Sequence, residues 1–577
     1  MESSLAYHEP SVVTIAILSS FLLLMNLVNY GLDKVAFCGL IGQVALGMAW
    51  GTPGGKLLDR DMENATMQLG YLGLILLVFE GGLATSFKTL KANLVLSAGV
   101  AITGISVPMG LSFVLQSMVD ATLLQAFAAG AALCSTSLGT TFTILGTSGL
   151  ASTRLGVVLT SAAMMDDVIG LIMVQVVSNL GGDDFTAATV IRPVMVSLAF
   201  ATVIPALCKF FVVPITLKLN AMRESTPTSK LATLLKLRQT AFTIHTAFLL
   251  ALTIGATFAG TSSLLAAYIA GAVISWWDSE VVHVRVGLNA SSEPQETETS
   301  EIDGANISRA STSNAPQVAP VVHDDSSETQ QDNSTSGVGV FDNYYRPVVE
   351  YMLKPFFFAS IGFSIPITRM FSGPIVWRGA IYTILMLIGK LLCGAWLAPL
   401  GSPLRFATQL ARRFSVRHKR SPKSTSPGSQ CTNSTPGTDH NVSPRSENVG
   451  TQEDVPLETL ADGNSRLVSS EVRNATPKPK QPKSVYPACI VGLGMVARGE
   501  IGFLIAALAE SKGVFGRQSS GQPSELFLVV TWAISLCTVI GPICVGLLVN
   551  RVRRLENGSR QDGVEGRQNV LGAWGVS

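Results

Sequence analysis

Apolar residues fall along this chain in runs of about 20, the length a helix needs to cross a hydrocarbon layer roughly 30 Å thick. The runs lie near 11–30, 35–52, 66–86, 93–118, 121–146, 153–180, 189–215, 239–257, 259–277, 346–368, 374–400, 486–510 and 524–549. They predict an all-α polytopic membrane protein of about thirteen transmembrane helices. The run at 346–368 is the weakest, because Glu350 and Lys354 sit inside it. Their i,i+4 spacing predicts an ion pair on one helix face near the membrane surface. The opening MESSLAYHEP lacks the basic start of a secretory signal. The first run therefore reads as a retained span.

Between the runs, two stretches do not belong to a bundle. Residues 283–342 are rich in Ser, Thr, Glu, Asp and Asn, and residues 402–484 pass from a basic patch into a Ser/Pro/Thr-rich tract. Neither has the apolar content to offset the entropy of ordering, so both are predicted to be disordered loops. The expected order is helices one to nine over 1–282, a loop over 283–342, and helices ten and eleven over 343–401. A second loop then spans 402–484, helices twelve and thirteen span 485–550, and a short tail covers 551–577. That tail falls short of the roughly 50 residues of a small domain, so no nucleotide-binding regulatory domain is expected.

Short-loop charge predicts orientation. Lys88 and Lys91, Arg154, the cluster from Lys218 to Arg238, the basic patch from Arg412 to Arg420, and Arg551, Arg553 and Arg554 fall on one side. Asp59, Asp61 and Glu63, or Asp183 and Asp184, fall on the other. The basic side is cytoplasmic by the positive-inside rule, which puts the N-terminus outside or in a lumen and the C-terminus and both loops in the cytoplasm. Of the sequons, Asn64 is then outside, while Asn289, Asn306 and Asn433 face the side where glycosylation does not occur.

Composition agrees. Of 577 residues, 47% are hydrophobic and 14% charged, against about a quarter charged in soluble proteins; mean hydropathy is +0.40. A net charge of +2 recruits no nucleic acid. Eight cysteines without a CxxC and six dispersed histidines support no disulfide framework, zinc site or cofactor.

Against this background a few polar residues stand out. Asp166 and Asp167 lie in MMDDVIG, in the middle of an otherwise uncharged run from Leu155 to Leu180. One central Asp costs about 2.5–3.5 kcal/mol on insertion scales. Two in succession need a wet cavity, a bound cation or protons. Such a pair can exchange protons and offers hard oxygens to an alkali ion, so Asp166 and Asp167 are the candidate seat of a transient metal ion. A structural ion pair or buried hydrogen-bond node is the plainer alternative.

The preceding run carries ALCSTSLGTT, with Ser135 and Thr136 at its centre. Hydroxyls and glycine at mid-membrane suit an interrupted helix whose freed carbonyls meet an ion, or simply close helix packing. Lys390, in LIGKLL, is a lone cation in a span without acids. Pairing with Asp166 is the economical solution, and a buried lysine can itself carry a proton. In GLGMVARGEIG, glycines interrupt another helix beside Arg498 and Glu500. The formal G-x-G-x-x-A match has no βαβ context, so dinucleotide binding is rejected. Arg498, Glu500 and Glu80 read as structural charges.

These segments resemble the cation/proton antiporter superfamily, which includes bacterial sodium/proton antiporters and eukaryotic sodium/hydrogen exchangers. LLVFEGGL, the hydroxyl-rich run ending in GTSGLASTRLG, MMDDVIGL, FFFASIGFSIPI, LIGKLLCGAW and MVARGEIGFLIAALAESKGV carry the resemblance across nearly all of the apolar chain. It implies inverted repeats, two crossed broken helices at the midplane, a homodimer, and elevator-like movement of a transport domain. Asp166 and Asp167 match the transport carboxylates, Thr136 falls in the broken helix, and Lys390 matches the basic partner of the first Asp. An Asp-Asp pair typifies electrogenic members that exchange two protons per cation. The two long loops depart from the pattern and suggest a eukaryotic version, a fungal one among the candidates.

The expected function is secondary exchange of protons for Na⁺, with K⁺ or Li⁺ open, at the plasma membrane or an endosomal or vacuolar membrane. A gated potassium efflux system is the alternative, although bacterial examples carry a nucleotide-binding domain. An intramembrane aspartyl protease is more remote, because its carboxylates must meet across two helices whereas Asp166 and Asp167 are neighbours on one.

Overall fold

The computed structural model describes residues 9–36, 39–137, 139, 141, 145, 149–181, 187–225, 237–280, 335–397, 485–516, 522–561, 571 and 574–575. The body of the loop expected at 283–342, all of that at 402–484, and the three sequons within them lie outside the described residues.

Every regular element among the described residues is helical. The first nine helices are α1 (Val12–Ala36), α2 (Gly39–Trp50), α3 (Arg60–Leu83), α4 (Phe87–Leu111), α5 (Leu123–Cys134), α6 (Arg154–Leu180), α7 (Ala187–Leu207), α8 (Arg238–Ala259) and α9 (Ser263–Glu280). α4 runs on through a 3₁₀ turn to Val119, and α7 through a π turn to Ser225. α10 runs from Gly337–Val340 to Lys354–Phe363 with two π turns. Four more follow: α11 (Gly373–Leu391), α12 (Tyr486–Gly494), α13 (Glu500–Ser511) and α14 (Glu525–Gln561). Among the described residues, eight helices are long and apolar enough to cross a membrane.

Local chemistry sets the starts. Asp59 caps α3 by accepting from the Arg60 N–H, with Asp61 and Glu63 in the first turn, where the helix dipole favours anions. Thr122 and Gln125 form a capping box on α5, and Thr153 caps α6; each satisfies backbone donors that have no helical partner. α10 begins earlier than the sequence boundary at 343 because the Ser336 side chain caps it, accepting from the Gly339 N–H. The ion pair expected between Glu350 and Lys354 is not formed. The π turn Val349–Leu353 intervenes and shifts the register that would have brought them together. Charge in this region is instead held by Arg346, 2.8 Å from Asp342 and 3.3 Å from Glu80.

The helices pack in two groups. α1, α2, α3, α8, α9 and α10 form one, with α3 against α9 as its tightest seam. A Cβ on Gly82 would run into the Tyr268 carbonyl and one on Gly271 into that of Phe79, so only glycine allows this approach. The second group joins α4, α5, α6, α11, α12, α13 and α14. Within it the order long helix, interrupted helix, long helix occurs twice, as α4–α5–α6 and as α11–α12/α13–α14. The two copies are inverted. α4 and α11 run antiparallel, since Thr103 accepts from Trp396 Nε1 just past α11 (2.9 Å) while Ser112, farther along the first helix, meets Tyr382, earlier in the second (2.7 Å).

Candidate functional site

The interruptions meet. α5 stops at Cys134, and α12 stops at Gly494 before α13 restarts at Glu500. Gly499 is extended there, with φ −155° and ψ −142°. The two breaks touch through a backbone hydrogen bond from Ser137 N to Ala497 O (3.0 Å). Such breaks leave carbonyls and N–H groups without helical partners, and the surrounding side chains supply them.

Lys390, from α11, sits at the crossing with no exposed surface. Its Nζ donates to Asp166 Oδ2 (2.7 Å), Cys134 O (2.7 Å) and Thr136 Oγ1 (3.1 Å), which uses all three donors of an ammonium. Thr136 donates to the same Asp166 oxygen at 2.6 Å and lies 3.3 Å from Met495 O across the crossing. Asp166 therefore holds a complete set of partners on Oδ2 and none on Oδ1. Asp167, one residue on and 4% exposed, also has an Oδ1 without a partner. Buried polar atoms are satisfied in the great majority of cases, and an exception calls for a reason.

Arg498 and Glu500 flank the crossing and do not pair with each other; each is held by a different partner. Arg498 Nη1 donates to Ser135 O (2.6 Å) and Cys134 O (3.3 Å) at the C-terminal end of α5. Glu500 opens α13 and accepts from Ser137 Oγ at 3.4 Å. Each charge thus faces the helix end of opposite polarity, the guanidinium at a C-terminus and the carboxylate at an N-terminus. Thr538 of α14 donates to Arg498 O (2.9 Å), tying the break to the next helix.

Of the residues singled out from sequence, the structure brings together Asp166, Thr136 and Lys390, with Asp167 adjacent. Ser135 contributes its carbonyl, and its side chain lies against α6, where a Cβ on Gly170 would stand 2.8 Å from the Ser135 Cβ. Glu80 lies apart, with Arg346. Sequence reasoning missed the carbonyls of Cys134 and Met495, for which the only signal was their place at the end of an interrupted helix. Among the described residues no group of three or more His, Cys, Asp or Glu could hold a metal ion. A bound alkali ion would need hydroxyl and carbonyl oxygens alongside the carboxylates.

Residues 16–288 match the family model described as sodium/hydrogen exchanger, transmembrane. That stretch is just under half of the chain; it runs from α1 to α9 and holds Asp166 and Asp167. With its apolar helices, this match makes the chain an integral, multi-pass membrane protein. The high-affinity Na⁺/H⁺ antiporter NhaS3 of Synechocystis is 36% identical over 110 residues, 19% of this chain and 24% of that protein. The Na⁺/H⁺-K⁺ antiporter GerN of Bacillus cereus is 33% identical over 141 residues, 24% of this chain and 36% of its own. The chain thus spans about a quarter to a third of the curated relatives it matches. The sodium proton antiporter MjNhaP1 from Methanocaldococcus jannaschii superposes with a TM-score of 0.49 at 11% identity, over 93% of this chain and 98% of that one.

Proposed function

We propose that the protein is a secondary transporter, not an enzyme, and that it exchanges a monovalent cation for protons at Asp166 and Asp167. One observation carries the reading: two buried carboxylate oxygens, Asp166 Oδ1 and Asp167 Oδ1, lack partners beside a complete lysine–aspartate pair at the crossing of two broken helices. The family match over the segment that holds both aspartates supports it, as do the names of the similar proteins.

The charge balance gives the mechanism. Among the described residues the buried charged side chains are Asp166, Asp167, Glu500, Lys390 and Arg498. Fully ionised, three acids against two bases leave one negative charge, which one monovalent cation neutralises. Protons on Asp166 and Asp167 do the same work, and two of them leave the set one charge more positive. Cation and protons cannot hold the same oxygens together, so each displaces the other. A proton on Asp166 also releases Lys390 from its ion pair. Because both carboxylates are buried, exchange with water requires the crossing to open to one side at a time. Two protons per cation would make the cycle electrogenic.

Na⁺ is the first candidate cation, with K⁺ and Li⁺ open; the site would act within a homodimer in a cell-surface, endosomal or vacuolar membrane. Asp167→Asn, purified and placed in vesicles, should lose Na⁺- and K⁺-dependent dissipation of a pH gradient while keeping its fold by circular dichroism. Flux at the wild-type rate in that variant would end this assignment.

A further inference from the structure

A second feature lies on the outer surface of the inverted-repeat group, starting at Leu493 beside the break and leading away from the crossing. Between α12 and the last turns of α14 runs a groove of about 780 Å³, bordered by Leu493, Leu547, Leu548, Asn550, Arg551 and Arg554. Its wall is open: Leu547 is 66% exposed. Its mouth is cationic. Among the described residues Arg551 donates from Nε to the Tyr486 hydroxyl, at 3.3 Å. Among the described residues no carboxylate pairs with Arg551 or Arg554.

Depth fixes what this groove meets. Gly541 of α14 abuts the broken segment, where a Cβ would stand 2.9 Å from Ala497 N, and it lies near the middle of the span Glu525–Leu555. At about 1.5 Å per helical residue, Arg551 stands roughly 15 Å farther along the axis, half the thickness of a hydrocarbon core. Leu547 and Leu548 then lie at acyl-chain depth and the two arginines at headgroup depth. A lone surface cation would be explained by snorkelling. An apolar trough that leads to two uncompensated guanidiniums at the boundary fits one chemistry in particular. We propose that this groove binds an anionic phospholipid, its acyl chain along Leu493, Leu547 and Leu548 and its phosphate between Arg551 and Arg554. The positive-inside rule puts this end on the cytoplasmic side, where the anionic lipids are. Binding is read without any transport assay, so the proposal stands or falls separately from the exchange reading.

The test uses the full chain, purified in detergent, stripped of lipid, and offered phosphatidylserine or phosphatidylcholine with the same acyl chains. Native mass spectrometry and thermal melting read the result. Phosphatidylserine should be retained and raise the melting temperature, and phosphatidylcholine should do neither. Arg551→Gln with Arg554→Gln should weaken phosphatidylserine binding about thirty-fold, the effect of two interfacial charges. Arg192→Gln, an exposed arginine elsewhere, should leave it unchanged. Equal retention of both lipids, undiminished binding in the double variant, or the same stabilisation by inorganic phosphate alone would overturn the site. If the double variant cannot be recovered, the wild type decides: retention must fall as salt rises, and retention indifferent to salt overturns the proposal.

Discussion

Lys390 is held by three acceptors and has no exposed surface. Removing one partner of a buried ion pair costs about 3–5 kcal/mol, because the other is left charged and alone. Lys390→Met should therefore lower the melting temperature markedly in detergent. Adding Asp166→Asn to it should recover most of that loss, since no uncompensated charge remains. If the two losses simply add, the pair is not the stabilising unit that its geometry indicates. Thr136 offers a finer probe. Its hydroxyl donates to a carboxylate at 2.6 Å, a bond of the kind worth about 1.5–3 kcal/mol. Thr136→Val should destabilise by that order in a thermal melt, whereas Thr136→Ser keeps the donor and should stay near wild type.

At the scale of helices, the seam between α3 and α9 depends on the absence of two side chains. Gly271→Ala would push a methyl group into the Phe79 carbonyl, and overpacking of this kind costs about 1–3 kcal/mol. The variant should melt lower than Gly255→Ala, a glycine of α8 where a Cβ meets nothing within 4 Å. Much of the helix plan was legible in the sequence, because a lipid-facing or buried span must be apolar for about 20 residues and the polar interruptions are few. The interruptions were legible for the same reason: hydroxyls and glycines at 135–141 and 492–499 have no cause to sit at mid-span in a plain helix. Partner choice was harder to read. The i,i+4 spacing of Glu350 and Lys354 assumed a regular helix, and a π turn undid it. Arg346 reaches Glu80 across 266 positions, which no local pattern reveals. The carbonyls of Cys134 and Met495 belong to the backbone and carry no residue signature. The chain past α14 gave no apolar run, yet Leu571 is buried and the Trp574 ring lies 5.0 Å from the Arg154 guanidinium.

For the whole molecule, the excess of one buried acid ties the exchange reading to the membrane potential. If two protons enter for each cation expelled, one positive charge moves inward per cycle, and 100 mV, inside negative, contributes about 2.3 kcal/mol toward cation expulsion. Vesicles clamped at that potential should sustain a cation gradient about fifty-fold steeper than vesicles clamped at zero, by the equivalence of 1.4 kcal/mol to a factor of ten. A gradient that ignores the clamp would make the exchange one-for-one.

The backbone bond from Ser137 to Ala497 has a mechanical consequence. With Arg498 gripping the end of α5 and Thr538 gripping Arg498, it acts as a rivet through two crossed struts. Neither strut swings free of the other without breaking that bond, so on the exchange reading proposed above the two breaks would move as one body. If the protein exchanges ions as proposed, loosening the rivet should uncouple the two breaks and let the exchange slip.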